Sequence, residues 1–389
     1  MDPATNPYSP GAGRPPAALV GRDPQLDAWR VALERVAAGR TAQSLVLYGL
    51  RGVGKTVLLA QLTKNTRARE WVVAQVEAGS DKRLREMLGE ALHGPLSDLA
   101  RPSAGQRLRK ALKTALSFKA SYDASGTWNF GLDLSGIAGG GADTGTLETD
   151  LTKLIRDLTA GAQEENLGVA VLIDEAQDLT PEELTAVCTT VHIAGQESWP
   201  FLVALAGLPS MPRVLSEARS YSERLFRFEQ IAHLDADRAR EAIEIPAHEE
   251  GVQWDKGAVE WVVKETTGYP YFLQQFGQEA WNQATGQHIT MTDARVGAEV
   301  AKAALDNGFF RSRWDRATRA EKQYLRAIAQ DGDVGSSSGE VAKRLDRSPN
   351  SLGPARASLI GKGLIYAPDH GMIAFTVPGM ADFINRQAL

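Results

Sequence analysis

The sequence predicts an α/β fold: a parallel β-sheet covered by helices, followed by an all-helical segment and a small C-terminal unit of winged-helix form. Three observations predict it. Short apolar runs with strand character alternate with helical or mixed stretches over roughly the first 230 residues, the pattern of a parallel sheet buried on both faces. The first run ends in a glycine-rich turn that opens a helix. The last 75 residues or so read helix, turn, helix and two-stranded ribbon.

In chain order, residues 1–19 are rich in Pro, Gly and Ala, include Pro15-Pro16, and read as an extended lead-in. A helix is expected over 24–38, where Leu26, Trp29, Val31, Leu33 and Val36 fall close to helical spacing and Asp23 caps a proline at the first helical position. Ser44-Leu45-Val46-Leu47-Tyr48 is the first strand, and 56–66 is the helix that follows the glycine turn. Further buried strands are expected at 71–76, 169–173, 201–206 and 225–231. The stretch 79–149 is longer than a crossover requires and reads as an insertion. Within it, Phe118, Ala120 and Tyr122 alternate with polar residues, as do Trp128, Phe130, Leu132 and Leu134, which predicts a hairpin with one apolar face. Residues 234–310 are helical with no strand candidate.

The composition, 43% apolar and 23% charged over 389 residues, belongs to a folded chain of two or three domains. The longest apolar runs, such as 201–208, fall well short of the roughly 20 residues that a membrane-spanning helix needs. Met1-Asp2-Pro3-Ala4-Thr5 lacks the basic start and apolar core of a secretory signal. A cytoplasmic setting without membrane contact is expected. The single cysteine, Cys188, cannot form an internal disulfide, and the six scattered histidines form no zinc-ligand pattern. A net charge of −5 argues against a chain that coats nucleic acid over its whole surface. Residues 316–389 nevertheless carry ten basic and seven acidic side chains, net +3, which leaves −8 on the rest.

Chemistry concentrates in two segments. Gly49-Leu50-Arg51-Gly52-Val53-Gly54-Lys55-Thr56 is a complete G-x-x-x-x-G-K-[ST] between an expected strand and an expected helix, which Val57 continues. Its glycines let backbone N–H groups curl around phosphate oxygens, and the helix N-terminus adds positive field. Lys55 is expected to reach the β- and γ-phosphates, and Thr56 to ligate Mg²⁺. Val169-Ala170-Val171-Leu172-Ile173-Asp174-Glu175 is an apolar strand with two carboxylates at its tip, the end at which open α/β sheets place ligands. Asp174 then belongs to the Mg²⁺ shell, and Glu175 can polarise an attacking water. Alone, such a pair is better read as a solvated strand end.

With Leu19-Val20-Gly21-Arg22-Asp23 and Gly268-Tyr269-Pro270, these motifs resemble the AAA+ and STAND-type P-loop ATPases, and among them the branch of archaeal and bacterial origin-recognition-like ATPases, many of which end in a winged helix. The resemblance spans about residues 20–383. It implies ATP or ADP held between a P-loop core (20–233) and a helical lid (234–315), with a winged-helix domain at 316–389. It further implies that Val20, Gly21 and Arg22 lie beside adenine and that Pro270 closes over the base, although Gly-Tyr-Pro also suits a plain helix start. Arg224 matches the place of an arginine finger acting on a neighbouring subunit, or is a surface arginine. One departure bears on turnover: the fourth strand ends Leu205-Ala206-Gly207-Leu208-Pro209, where a polar residue often senses the γ-phosphate, and only Ser210 is near. Asp174-Glu175-Ala176-Gln177 also matches a helicase signature, but no later helicase motif with paired arginines follows. No guanine-reading Asn-Lys-x-Asp segment is present.

At the C-terminal end, 339–345 reads as a short helix, Ser351 as the cap of a second, and 364–367 with 372–375 as the wing ribbon. The second helix can enter a major groove with Arg347, Asn350, Ser351 and Arg356 towards double-stranded DNA, or the unit serves protein contacts. The basic stretch Arg101, Arg107, Arg109, Lys110, Lys113 and Lys119 is either the solvated face of an amphipathic helix or a phosphate-contacting element. Two functions follow. One is a Mg²⁺·ATP-driven switch acting on DNA, as a homo-oligomer or with a partner protein. The other is a STAND-like signalling or defence ATPase with slow turnover and nucleotide-controlled oligomerisation.

Overall fold

The computed structural model describes residues 1–11, 13–79, 81–120, 130 and 132–387. Helix α1 (Asp23–Ala37) leads into β1 (Ser44–Tyr48), α2 (Lys55–Arg67) and β2 (Val72–Glu77). Three helices follow: α3 (Leu84–Leu99), α4 (Gln106–Ala120) and α5 (Leu147–Gln163). Then come β3 (Val169–Asp174), α6 (Pro181–Gln196), β4 (Phe201–Gly207), α7 (Met211–Ala218), α8 (Ser222–Leu225) and β5 (Phe226–Gln230). The five strands form one parallel sheet in the order β2-β3-β4-β1-β5. All five expected strands are present, within a residue or two of their expected bounds. The apolar runs are continuous because both sheet faces are covered: Leu45 and Leu47 pack with Trp29, Leu33, Leu58 and Leu62 on one side, while Val46, Val169 and Val171 pack with α3 to α6 on the other.

The expected hairpin in the insertion meets a different structure. Phe118 and Ala120 close helix α4, and Phe118 continues the buried stripe Leu108, Ala111, Leu112 and Ala115. A helical period running back from Phe118 outweighs a two-residue alternation running forward from it. Residues 121–129 and 131, which hold most of that expected hairpin, lie outside the described residues. The basic stretch is largely engaged internally: Arg109 donates to the Pro102 and Ala104 carbonyls, Lys110 pairs with buried Asp157 at 3.1 Å, and Arg101 pairs with Glu165. These contacts favour the ordinary amphipathic helix.

The helical region comprises α9 (Ala236–Glu249), α10 (Lys256–Thr266), α11 (Pro270–Gln283) and α12 (Met291–Ala304), then a π-helical turn (Leu305–Phe310) and α13 (Arg311–Asp315). It also holds two short strands that the sequence did not predict, β6 (Gln253–Trp254) and β7 (His288–Ile289), paired in parallel. Two-residue strands leave no periodicity to read. The C-terminal unit is α14 (Arg319–Ala329), β8 (Ser336–Ser337), α15 (Ser338–Arg344), α16 (Pro349–Gly361), β9 (Ile365–Tyr366), β10 (Met372–Phe375) and α17 (Met380–Asn385), with sheet order β8-β10-β9. Strand β8 adds a third member to the expected ribbon. The cap of α16 is Ser348, not Ser351: the Ser348 side chain accepts from the Ser351 N–H, and Pro349 takes the first helical position. Buried apolar residues of the helical region and the C-terminal unit form one continuous cluster, from Ile243 and Trp281 through Phe310 and Trp314 to Leu359 and Phe383.

Candidate functional site

Strand β4 lies between β1, which carries the glycine loop, and β3, which carries the acidic pair. Parallel strands bring all three C-terminal ends to one edge. At that edge Gly49 donates its N–H to Gly207 O at 3.1 Å, and a Cβ on Gly49 would collide with the Ile231 carbonyl beyond β5. Gly52 and Gly54 take φ of +85° and +94°, the left-handed region in which glycine is unstrained, and so let the loop turn into α2.

Lys55 is buried, and its ammonium donates to Gly49 O at 3.0 Å and Leu50 O at 2.8 Å. Burial pushes its pKa down to about 8, against the pull of Glu175 and Asp174. Asp174 is also buried, which raises its pKa; the Thr56 side chain and the Glu175 N–H, the latter at 2.8 Å, hydrogen-bond to its carboxylate and partly offset the rise. The structure therefore brings Lys55, Thr56, Asp174 and Glu175 together. Glu175 has φ +48°, uncommon for a side-chain-bearing residue. Arg51 holds its carboxylate through two contacts, Nη1 to Oε1 at 3.0 Å and Nη2 to Oε2 at 3.2 Å. Gln177 Nε2 donates to Oε2 at 2.6 Å, while Gln177 Oε1 accepts from the Leu208 N–H. Gln177 thus links the acid to the end of β4, where the sequence offers no polar sensor.

A cavity of about 520 Å³ opens beside the loop, lined by residues 51–57, Val20, Arg22, Leu234, Pro270, Tyr271, Phe309 and Arg313. Val20, Val57 and Pro270 line this cavity. Arg22 is buried, and its Nη2 donates to the carbonyls of Val53 at 3.0 Å and Ala232 at 2.9 Å, so it braces the loop. Gly21, with φ +67°, lies against Leu234 and Arg238 instead of lining the cavity. Several lining residues escaped sequence reasoning. Tyr271 stacks on Phe309 with centroids 4.7 Å apart, and Arg313 lies 4.0 Å over the Phe309 ring; behind the wall, the Tyr269 hydroxyl donates to Arg51 O. Residues 9–11, 13, 14 and 16 of the lead-in also line the cavity, so this segment crosses the site. The signal for Phe309 is the local Asn307-Gly308-Phe309-Phe310 run within a π-helical turn, a feature often found at functional sites.

A second, larger cleft of about 1330 Å³ separates this edge from the C-terminal unit. Asn350, Arg356 and His370 face it, opposite Arg51, Glu175, Arg213 and Glu217; Arg347 and Ser351 are exposed outside it. Arg224 is exposed on α8 beside the edge strand β5 and does not line its own chain's cavity. The donor set suits Mg²⁺: a hydroxyl and a carboxylate already in hydrogen-bond contact present hard oxygens. Among the described residues no group of three His, Cys, Asp or Glu side chains is placed to hold a metal. Among the described residues no helix is long and apolar enough to cross a membrane.

Residues 18–215, just over half the chain, match the family model of the AAA ATPase domain, and residues 307–384 match a domain of unknown function. No curated protein matches. Among solved structures, the chain is similar to the Walker-type ATPase of Pyrococcus abyssi, at 18% identity and TM-score 0.58, over 96% of this chain and 98% of that one. Weaker likenesses include Cdc6p from Pyrobaculum aerophilum, at 13% identity and TM-score 0.46 over 99% and 97% of the two chains. Another is the RuvB Holliday junction branch migration motor of Thermotoga maritima, at 14% identity and TM-score 0.45 over 96% and 99%.

Proposed function

The chain belongs to the AAA ATPase domain family, and from that premise we propose that it binds Mg²⁺·ATP in the cavity beside residues 49–56, hydrolyses it, and uses the cycle to move its C-terminal unit. The observation that carries this reading is the convergence of Lys55, Thr56, Asp174 and Glu175 on one sheet edge, joined by the hydrogen bonds to Asp174. The loop's backbone amides and the start of α2 hold the phosphates. Lys55 exchanges its two carbonyl partners for phosphate oxygens, and Tyr271, Phe309, Val20 and Pro270 form the apolar wall for the base. Thr56 and Asp174 would hold Mg²⁺, which would supply charge neutralisation of the phosphates. Glu175 accepts a proton from water as that water attacks the γ-phosphorus; the bond to the bridging oxygen breaks, and ADP and phosphate leave. Arg224, exposed at the sheet edge, suits a finger acting in a neighbouring copy.

The output we infer is association with double-stranded DNA through α16 and the β9–β10 ribbon, with Arg347, Asn350, Ser351 and Arg356 as contacts. Support comes from the order of elements in the C-terminal unit and from its net positive charge. A second reading, a slowly cycling switch that assembles with nucleotide and uses this unit for protein contacts, is favoured by the Arg51 grip on Glu175. The shared test is Lys55→Ala, expected to remove measurable ATP binding by calorimetry; retained affinity would place the nucleotide elsewhere. Turnover with and without duplex DNA then separates the two outputs.

A further inference from the structure

Arg51 meets three parts of the molecule: the acidic strand tip, the helical region and the C-terminal unit. Its guanidinium grips Glu175, its N–H donates to Thr376 O at 2.9 Å, its carbonyl accepts from Tyr269, and its Nη2 lies 3.0 Å from where a Cβ on Gly363 would stand. P-loop chemistry asks nothing of a side chain at this place, since phosphate contacts come from loop amides, the lysine and the hydroxyl. An arginine there needs another account.

Two anionic positions can hold this side chain. One is Glu175, which it grips; the other is the terminal-phosphate position in the cavity beside Lys55, which Arg51 and Glu175 both line. The Nε of Arg51 is buried and has no hydrogen-bond partner, so the guanidinium is not fully satisfied by the carboxylate. A terminal phosphate offers more charge and three oxygens in a geometry that a guanidinium fork matches in bidentate fashion. Both anions compete for one cation.

Resting on the nucleotide reading above, we propose that Arg51 is a γ-phosphate sensor in its own chain: a positioning residue that holds Glu175 while the site is empty or holds a diphosphate, and exchanges it for the terminal phosphate of a triphosphate. The exchange frees Glu175 to face water. Because the Arg51 main chain is bonded to Tyr269 and Thr376, the same movement reaches the helical region and the C-terminal unit.

Calorimetry with Mg²⁺ and either ADP or a non-hydrolysable ATP analogue tests this on wild type, Arg51→Ala, Arg51→Lys, Glu175→Gln and the Arg51→Ala/Glu175→Gln double variant. Arg51→Ala is expected to weaken the analogue about tenfold, the loss of one charge-assisted bidentate contact, and to leave ADP within about twofold. Arg51→Lys, lacking the fork, recovers only part of the loss. Glu175→Gln removes the competitor and tightens the analogue in the wild-type background but not in the Arg51→Ala background. Parallel loss of both nucleotides would show a mere prop of the loop and overturn the proposal, as would unchanged affinities or an equal Glu175→Gln effect in both backgrounds. Failure of wild type to bind either nucleotide would instead overturn the nucleotide reading.

Discussion

At the scale of single residues, Lys55 sets a measurable proton balance. Its ammonium is buried against carbonyl oxygens, and burial lowers its pKa from 10.5 to about 8. Between those two values the unfolded chain holds more protons than the folded one, so this lysine's burial cost shrinks, and stability rises, as pH climbs through the window. Phosphate in the cavity reverses the effect by favouring the charged form. Nucleotide binding at about pH 9 should therefore take up close to one proton, and at about pH 7 almost none, with affinity falling as pH rises past 8. Titration calorimetry in two buffers of different ionisation enthalpy reads this directly. Equal uptake at both pH values would mean that Lys55 is already charged. Lys55, Thr56, Asp174 and Glu175 were legible in the sequence because each motif is a contiguous run whose spacing carries its own chemistry. Arg51 lay inside the same motif, yet its role was hidden, because its partners Glu175, Tyr269 and Thr376 are brought to it only by the fold.

At the scale of elements, what could be read followed the strength of the local pattern. The five sheet strands are unbroken apolar runs buried on both faces, and they were found within a residue or two. The β6–β7 bridge has no pattern to find. Helix α4 was recognised by its leucines but cut short at Phe118, where two chance alternations imitated a strand. The lead-in was expected to be extended throughout, but Pro3–Thr5 form a 3-10 turn capped by Asp2, and nothing in its sequence announced a docking role. Tyr8 supplies that role. It is 1% exposed, meets Trp254 and Trp281 edge to face, accepts from Trp254 Nε1 at 2.8 Å and donates to Ile243 O. Tyr8→Phe keeps the ring but leaves the buried Ile243 carbonyl and Trp254 N–H without that hydroxyl, at a cost of about 1–3 kcal/mol. Tyr8→Ala also empties an aromatic site and should cost about 3–5 kcal/mol. Chemical denaturation gives both values. Because residues 9–11, 13, 14 and 16 line the cavity proposed for nucleotide, Tyr8→Ala should also weaken ATP binding. Unchanged midpoints in both variants would mean that the lead-in is not anchored there.

At the scale of the whole molecule, the decisive feature is where the C-terminal unit faces. Its core is continuous with that of the helical region, so the two are expected to move together against the sheet. The boundary expected near residue 316 is not marked by a break in apolar packing, which pattern reading could not foresee because each helix there shows an ordinary buried stripe. Asn350, Arg356 and His370 look into the cleft towards Arg213 and Glu217. Arg347 and Ser351 are exposed outside the cleft, but Asn350 and Arg356 cannot reach a DNA groove while they face it, so the proposed DNA association requires the cleft to open. The Arg51 N–H to Thr376 O bond ties that opening to the phosphate loop. Duplex DNA should accordingly bind weakly without nucleotide or with ADP, and more tightly with a non-hydrolysable triphosphate. Fluorescence anisotropy across a salt series measures it. Arg356→Ala should lower the slope of log affinity against log salt by about one if its contact is to phosphate. Because Arg356 faces the cleft, its substitution should matter chiefly with triphosphate present. Equal DNA affinity in all nucleotide states would show that the cleft is not the gate, and no DNA affinity in any state would leave protein contact as the work of this unit.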